Sequence, residues 1–462
     1  INLSLQSPYN LLITNIFMSK GSNIATIIRS NDALLQLLVQ EKKGEQKNER
    51  FLQDFKTLAD VLIQEMVRHD LSEKFSGLED SIYGEETNKF TNALGETITI
   101  KLCSTETETQ SLLVKVLDGN NRAAGLLSQC LHSTVCLPID ERIQQLTHTV
   151  DKDDIGVWID PIDSTNQYIQ GDIGVENNVG ILDEGLQCVT VLVGVFIKST
   201  GLPILGVVIQ PFNNYNTQTQ QWSEKVTWGI CYKDIKLSSL TTPITANNNR
   251  IILSTSEDTE VKEKLSDKFQ LDFASGAGYK LICSALGCVS AYVLSKSSIY
   301  KWDCCGPHAI LLSLGGGIIS FKQLMEAQES DVSQLKQVTY NYSQKANSFD
   351  GIIAYNSSQS LSQIVNCLKR LPNNKKVTGS IPVLAEEVPH GFQAWFPLVS
   401  GAFECNKRYK TSSCVSLNVG LQVKEFLNKR RLYSHCPCKI ALIFMSLDGA
   451  EKWDIPTQKI VL

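Results

Sequence analysis

Between Asn23 and Gln40, Ile24, Ile27, Ile28, Leu35 and Leu38 fall mostly three or four residues apart. That spacing predicts an amphipathic helix, and the charged run EKKGEQKNER at 41–50 then reads as a solvated loop. Phe55, Leu58, Leu62, Ile63 and Met66 repeat the interval and predict a second helix over 51–68, with Asp60 inside it. Further on the period changes. Short apolar runs bounded by Gly, Pro and Asn predict buried strands: GVWI at 156–159, CVTVLVGVF at 188–196, PILGVVI at 203–209 and RIILS at 250–254. Helical spacing returns at Tyr279 to Ala291, Pro307 to Leu314 and Leu361 to Leu371, with Gly315, Gly316 and Gly317 closing the second of these. Helices at both ends and between strands give an α/β or layered α+β class, without an internal repeat.

A chain of 462 residues, 42 % hydrophobic and 20 % charged, can bury a large core, which excludes a disordered, fibrous or disulfide-stapled chain. The apolar stretch from Leu11 to Met18 is too short to span a bilayer, so no stable membrane insertion is expected. The net charge of -5 argues against nucleic acid as a partner, but it is the sum of -10 over residues 1–372 and +5 over residues 373–462. Fourteen scattered Cys and no basic segment leading into an apolar one predict reduced thiols and a cytoplasmic protein. Residues 1–20, which open on Ile1, are set apart as an uncertain leader.

The chemistry concentrates in Val157-Trp158-Ile159-Asp160-Pro161-Ile162-Asp163-Ser164-Thr165. A strand-like run ends in two carboxylates three residues apart with Pro161 stiffening the turn, an all-oxygen set that suits a hard cation. The amides of Ser164 and Thr165 would open a helix, where free N–H groups bind phosphate oxygens. Alone, such a pair is more often a helix cap and a turn residue. Glu85 and Glu86 end a short apolar run after Gly84, Asp303 stands in Lys301-Trp302-Asp303 before a helix, and Asp60 lies on a helix face. Six carboxylates gathered together would repel a phosphate ester, so a phosphate site built from them requires divalent metals.

The segments Thr57-Leu58-Ala59-Asp60, Gly84-Glu85-Glu86, Asp160-Pro161-Ile162-Asp163-Ser164-Thr165 and Trp302-Asp303 followed by Gly315-Gly316-Gly317 resemble, in order, those of the lithium-sensitive, magnesium-dependent phosphatases. DFKTLADVL, GLQCVTVLVGV, GAGYK and KWDCC, with a long spacer between Glu86 and Asp160, resemble the inositol polyphosphate-hydrolysing branch of that superfamily.

The resemblance implies a layered αβαβα sandwich over residues 21–372, with an N-terminal part to about 250, a C-terminal part over about 251–372, and a tail of unknown structure at 373–462. It implies two or three Mg²⁺ per site and Li⁺ as inhibitor. Glu85, Asp160 and the Ile162 carbonyl would hold one ion, and Asp160, Asp163 and Asp303 a second. Glu86 and Asp60 would complete the acidic shell, and Asp60 with the Thr165 hydroxyl would orient the attacking water. Asp163, Ser164, Thr165, Ser256, Gly276, Ala277 and Lys280 would bind substrate. The implied activity is removal of the 1-phosphate from inositol 1,4-bisphosphate and inositol 1,3,4-trisphosphate by a monomer. A 3'(2'),5'-bisphosphate nucleotidase and a non-catalytic inositol-phosphate-binding homologue are the alternatives.

Asp258 stands where the resemblance leads one to expect a Lys, and a carboxylate facing a phosphate is unfavourable. Pro307 is expected in a first helical turn, where proline is tolerated. Cys304 and Cys305 read as buried small residues and His308 as a packing histidine. In the tail, Cys405, Cys414, His435 and Cys438 match no zinc-ligand spacing, and the basic stretch Lys429-Arg430-Arg431 reads as a solvated face.

Overall fold

The computed structural model describes residues 18–30, 35, 38–42, 55–133, 140–146, 148–240, 248–328, 335–343 and 347–369. The chain divides into two units, Ile1–Pro372 and Asn373–Leu462, and every described residue lies in the first. The charged run from residue 43 onward to 50 and the tail cysteines fall outside the described residues.

Six strands form one sheet in the order Ile235–Ser238, Gln221–Tyr232, Pro203–Asn216, Thr190–Ile197, Ile155–Asp163, Ile82–Gly84. Its neighbours are antiparallel except the last pair, Ile82–Gly84 with Ile155–Asp163, which is parallel. Side chains alternate across a strand, so each face of the sheet meets a different core. Val157 and Ile159 pack with Ile24, Ile28, Leu62, Ile63 and Met66 of the Met18–Arg29 and Leu58–Lys74 helices. Trp158, between them, faces a second core with Leu192, Phe196, Leu281, Cys304 and Cys305, which belongs in part to the Ala277–Ala285 and Lys301–Ser313 helices. A five-stranded sheet lies beyond, in the order Gln270–Phe273, Arg250–Leu253, Ala291–Leu294, Ile352–Tyr355, Gly317–Ser320. Ile252 shares the second core, whereas Ile251 and Leu253 face a third with Val261, Leu265 and Ile364. Three cores separated by two sheets make the layers αβαβα.

The Lys301–Ser313 helix lies directly on the first sheet because glycines open the way. A Cβ added to Gly206 would sit 1.8 Å from the Gly306 carbonyl oxygen, and one added to Gly306 would sit 2.6 Å from that of Val193. Gly206→Ala is therefore expected to cost about 1–3 kcal/mol, as overpacked cores do. A urea midpoint equal to wild type would contradict this close approach.

Several elements differ from the sequence pattern. The first helix stops at Arg29, and Val39–Glu41 is a strand paired with Phe55–Thr57. Leu35 and Leu38 stay buried in the same core as the helix, so their helical spacing from Ile28 is coincidental. The second helix runs Leu58–Lys74 rather than from 51, because Thr57 caps it and Asp60, at its third position, accepts back from the Thr57 N–H. Helices Glu106–Val116 and Asn121–His132 were not among the predicted elements. The expectation that Pro307 opens a helix is corrected: the helix starts at Lys301, and Pro307 sits inside it. Proline has no N–H, so the Asp303 carbonyl lacks its usual intrahelical donor. His308 is a packing residue, 3.0 Å from the Tyr340 hydroxyl and 2.9 Å from Gln337 Oε1, with burial pushing its pKa down to about 3. Among the described residues no helix is long and apolar enough to cross a membrane.

Candidate metal centre

The Ile155–Asp163 strand loses register against Thr190–Ile197 between Asp160 and Asp163. The irregularity coincides with Pro161, which has no N–H for the ladder, and it lets two carboxylates three apart face one point. Carboxylate oxygens of Asp160, Asp163 and Asp303 all lie within 4.8 Å of one another, and all three residues are buried.

Two of the three are held by backbone donors. Asp163 accepts from the N–H groups of Ala277 (3.1 Å) and Gly278 (2.9 Å) and from the Thr190 hydroxyl (3.2 Å). The turn feeding those amides needs glycine, since Gly276 has φ +76° and an added Cβ would lie 2.9 Å from Asp163 Oδ2. Asp303 accepts from the Tyr300 N–H at 2.5 Å and caps its own helix. Asp160 Oδ1 is buried with no hydrogen-bond donor. Buried polar atoms are normally satisfied, so an orphaned carboxylate oxygen facing two other carboxylates suits a cation.

Around this cluster stand the other predicted acids. Asp60 Oδ2 accepts from the Thr57 N–H (2.7 Å) and hydroxyl (2.6 Å), and its Oδ1 lies 3.4 Å from the Thr165 hydroxyl. That hydroxyl is also 3.0 Å from the Ile162 carbonyl, so its single proton serves one acceptor at a time. Glu85 continues the pairing to the Ile159 carbonyl (3.2 Å), and Gln64 grips the backbone of Glu86 from both sides. Lys42 Nζ lies 2.5 Å from carboxylate oxygens of both Glu85 and Glu86. In sequence this buried lysine is hidden in a charged run that reads as solvated, and the apolar Leu38-Val39 just before it is the signal of burial.

Burial pushes Asp60, Glu86, Asp160, Asp163 and Asp303 toward the neutral form. It raises Asp160 and Asp303 well above the carboxylate range, with the neighbouring acids adding repulsion. It raises Asp60 to about 6 and Glu86 to about 8, with Lys42 pulling both back. Asp163 is raised by burial against the opposing pull of Lys280 and its backbone donors. Such a cage is poorly suited to hold its full negative charge without a cation.

Ser164 sits at φ +72°, a left-handed conformation costly for a residue with a Cβ, at the start of the Thr165–Gln170 helix. The remaining candidates divide. Ser256 is exposed at the start of the loop leading to the Thr259–Ser266 helix, and its carbonyl accepts from Lys296. Lys280 is 3 % exposed, and its ammonium donates to the Ala274 (3.1 Å) and Gly276 carbonyls rather than reaching outward. Gly276, Ala277 and Lys280 thus converge on Asp163. Asp258 lies 3.6 Å from Lys296 Nζ and accepts from the Ser295 hydroxyl at 3.2 Å, so its charge is matched locally.

The inositol monophosphatase family profile matches residues 13–346. The chain belongs to the inositol monophosphatase family. It is 41 % identical over 373 residues to the inositol polyphosphate 1-phosphatase of Mus musculus, covering 76 % of this chain and 94 % of that protein. Identity to the Homo sapiens protein of the same name is 40 % over 376 residues, with the same coverage. A 3'(2'),5'-bisphosphate nucleotidase 1 of Dictyostelium discoideum is 30 % identical over 190 residues, 39 % of this chain and 54 % of that protein. The family membership makes this chain a phosphatase, a phosphoric monoester hydrolase, and the buried acidic cluster lies in the part of the chain that carries the match.

Proposed function

We propose that the chain is a Mg²⁺-dependent, lithium-inhibited phosphomonoesterase that removes the 1-phosphate from inositol 1,4-bisphosphate and inositol 1,3,4-trisphosphate, acting as a cytoplasmic monomer without nucleic-acid partners. The observation that carries the reading is the Asp160, Asp163 and Asp303 cluster with its donorless Asp160 oxygen, in a chain 41 % identical to an inositol polyphosphate 1-phosphatase. Glu85, Asp160 and the Ile162 carbonyl would hold one Mg²⁺, and Asp160, Asp163 and Asp303 another; Glu86 and Asp60 would set the surrounding charge and leave room for a third. When bound, Mg²⁺ supplies Lewis acidity toward the phosphoryl group and a water nucleophile near neutral pH.

The chain's own groups do the rest. Asp60 Oδ1 and the Thr165 hydroxyl, 3.4 Å apart, would orient the attacking water, and the Asp60 carboxylate would receive its proton. The Ser164 and Thr165 amides would hold phosphoryl oxygens as charge builds in the in-line displacement. Ser256 and the Gly276 turn would face the ring and its other phosphate. Ala277 and Lys280 act one step back, through the geometry of Asp163.

Parallel assays of phosphate release from inositol 1,4-bisphosphate and 3'-phosphoadenosine 5'-phosphate separate this reading from the nucleotidase. The expected kcat/KM favours the inositol substrate; turnover of the nucleotide alone would overturn the assignment. Failure to hydrolyse either would favour a non-catalytic binding homologue.

A further inference from the structure

The Ala277–Ala285 helix presents its first amides to Asp163 and carries Cys283 in its last turn, with Cys288 just beyond its end. Gly287 adopts φ +75°, its N–H donates to the Ser284 carbonyl at 3.2 Å, and the Cys288 N–H donates to the Cys283 carbonyl at 3.0 Å. This pair of bonds is the Schellman ending, which folds the residue after the glycine back over the residue five positions earlier. A hydrophobic contact commonly fills that place; here it falls to the side chains of Cys283 and Cys288, both packed on the second core. Asn248 Nδ2 donates to the Gly287 and Cys288 carbonyls and fixes the turn.

The two thiols differ in access and in state. Cys283 is 2 % exposed, whereas Cys288 is half-buried. The hydrogen bond from Cys283 lowers the Cys288 pKa to about 7 against the opposing effect of burial, with Lys225 assisting. Burial pushes Cys130 and Cys188 up to about 11 and about 12, and leaves Cys304 and Cys305 well above the thiol range. Thiolate character with access is what makes a cysteine reactive, and a neighbouring thiol is what resolves the first oxidation product.

We propose that Cys283 and Cys288 form an oxidisable dithiol that closes to an intrachain disulfide, with a hydroperoxide as the oxidant. The Cys288 thiolate attacks one peroxide oxygen, the O–O bond breaks, and the departing hydroxide takes up a proton to leave as water. The sulfenic acid so formed is attacked by Cys283 sulfur; the S–S bond forms, the S–O bond breaks, and the Cys283 proton leaves with the hydroxyl as a second water. Two thiols lose two electrons and the peroxide gains them.

The test uses the full chain, one equivalent of hydrogen peroxide, alkylation of remaining thiols and peptide mapping. The expected result is loss of two thiols, a Cys283–Cys288 linked peptide and recovery of both thiols with dithiothreitol. C288S should abolish the link, and C283S should leave Cys288 oxidised but unlinked. If C283S fails to fold by circular dichroism, C288S at the accessible position supplies the comparison. An unmodified Cys288 in wild type, its conversion to sulfinic acid without a link, or a disulfide from either residue to another cysteine would overturn the proposal.

Discussion

Asp160→Asn is expected to lower Mg²⁺-supported phosphate release by ~10³-fold or more while leaving the metal-free protein at least as stable as wild type. The carboxylate is 1 % exposed, and burial with repulsion from Glu85, Asp163 and Asp303 already holds it well above the carboxylate range. An amide of the same shape removes that repulsion from the empty cage but also removes a shared charge from any bound cation. Metal-ion stabilisation of the transition state is worth several kcal/mol, and each ~1.4 kcal/mol is tenfold in rate. Initial rates and thermal melts at pH 8 check both halves. Equal rates would remove Asp160 from the metal centre, and a lower melt without metal would make it a structural support instead.

The metal-free protein should lose stability as pH rises from about 4.5 to about 8, and Mg²⁺ should restore most of the loss. The sign follows from the raised pKa values: Asp60 moves from 3.8 to about 6 and Glu86 from 4.5 to about 8 on folding. Below both unfolded values the acids are protonated in either state and contribute no difference. Between the unfolded and folded values the unfolded chain has already ionised while the native cage still holds its protons, so rising pH favours unfolding, and the trend levels off above the folded values. Urea midpoints across this range, in EDTA and in Mg²⁺, check it. A metal-free midpoint that rises with pH through the window would contradict the electrostatic account of the cage.

The clustered acids were legible because most of them stand at the end or first turn of an element, where a motif of a few residues survives in the sequence. Asp160, Asp163 and Asp303 do meet at one point, although the sequence held no distance between the strand that carries two of them and the helix that carries the third. Lys42 was illegible for the opposite reason: six further charges surround it in sequence, and only the pairing of Val39–Glu41 with Phe55–Thr57 brings it beside Glu85. Lys280 was recognised as a cation of the site, but its direction is set by the carbonyls of Ala274 and Gly276, which are contacts within the fold. Apolar runs located four strands, yet their full reach, as in Pro203–Asn216, depends on sheet partners that composition does not encode. Pro307 was misplaced because a helix held down by close glycine contacts on a sheet tolerates an interior proline that local propensity would put at its start.

The most direct test is Mg²⁺-dependent release of phosphate from inositol 1,4-bisphosphate by wild type and by Asp163→Asn, each in Mg²⁺ and in EDTA. The account predicts release by wild type in Mg²⁺ alone and none above background by the variant, with matching circular dichroism spectra. Release by the variant equal to wild type, or undiminished release by wild type in EDTA, would contradict it.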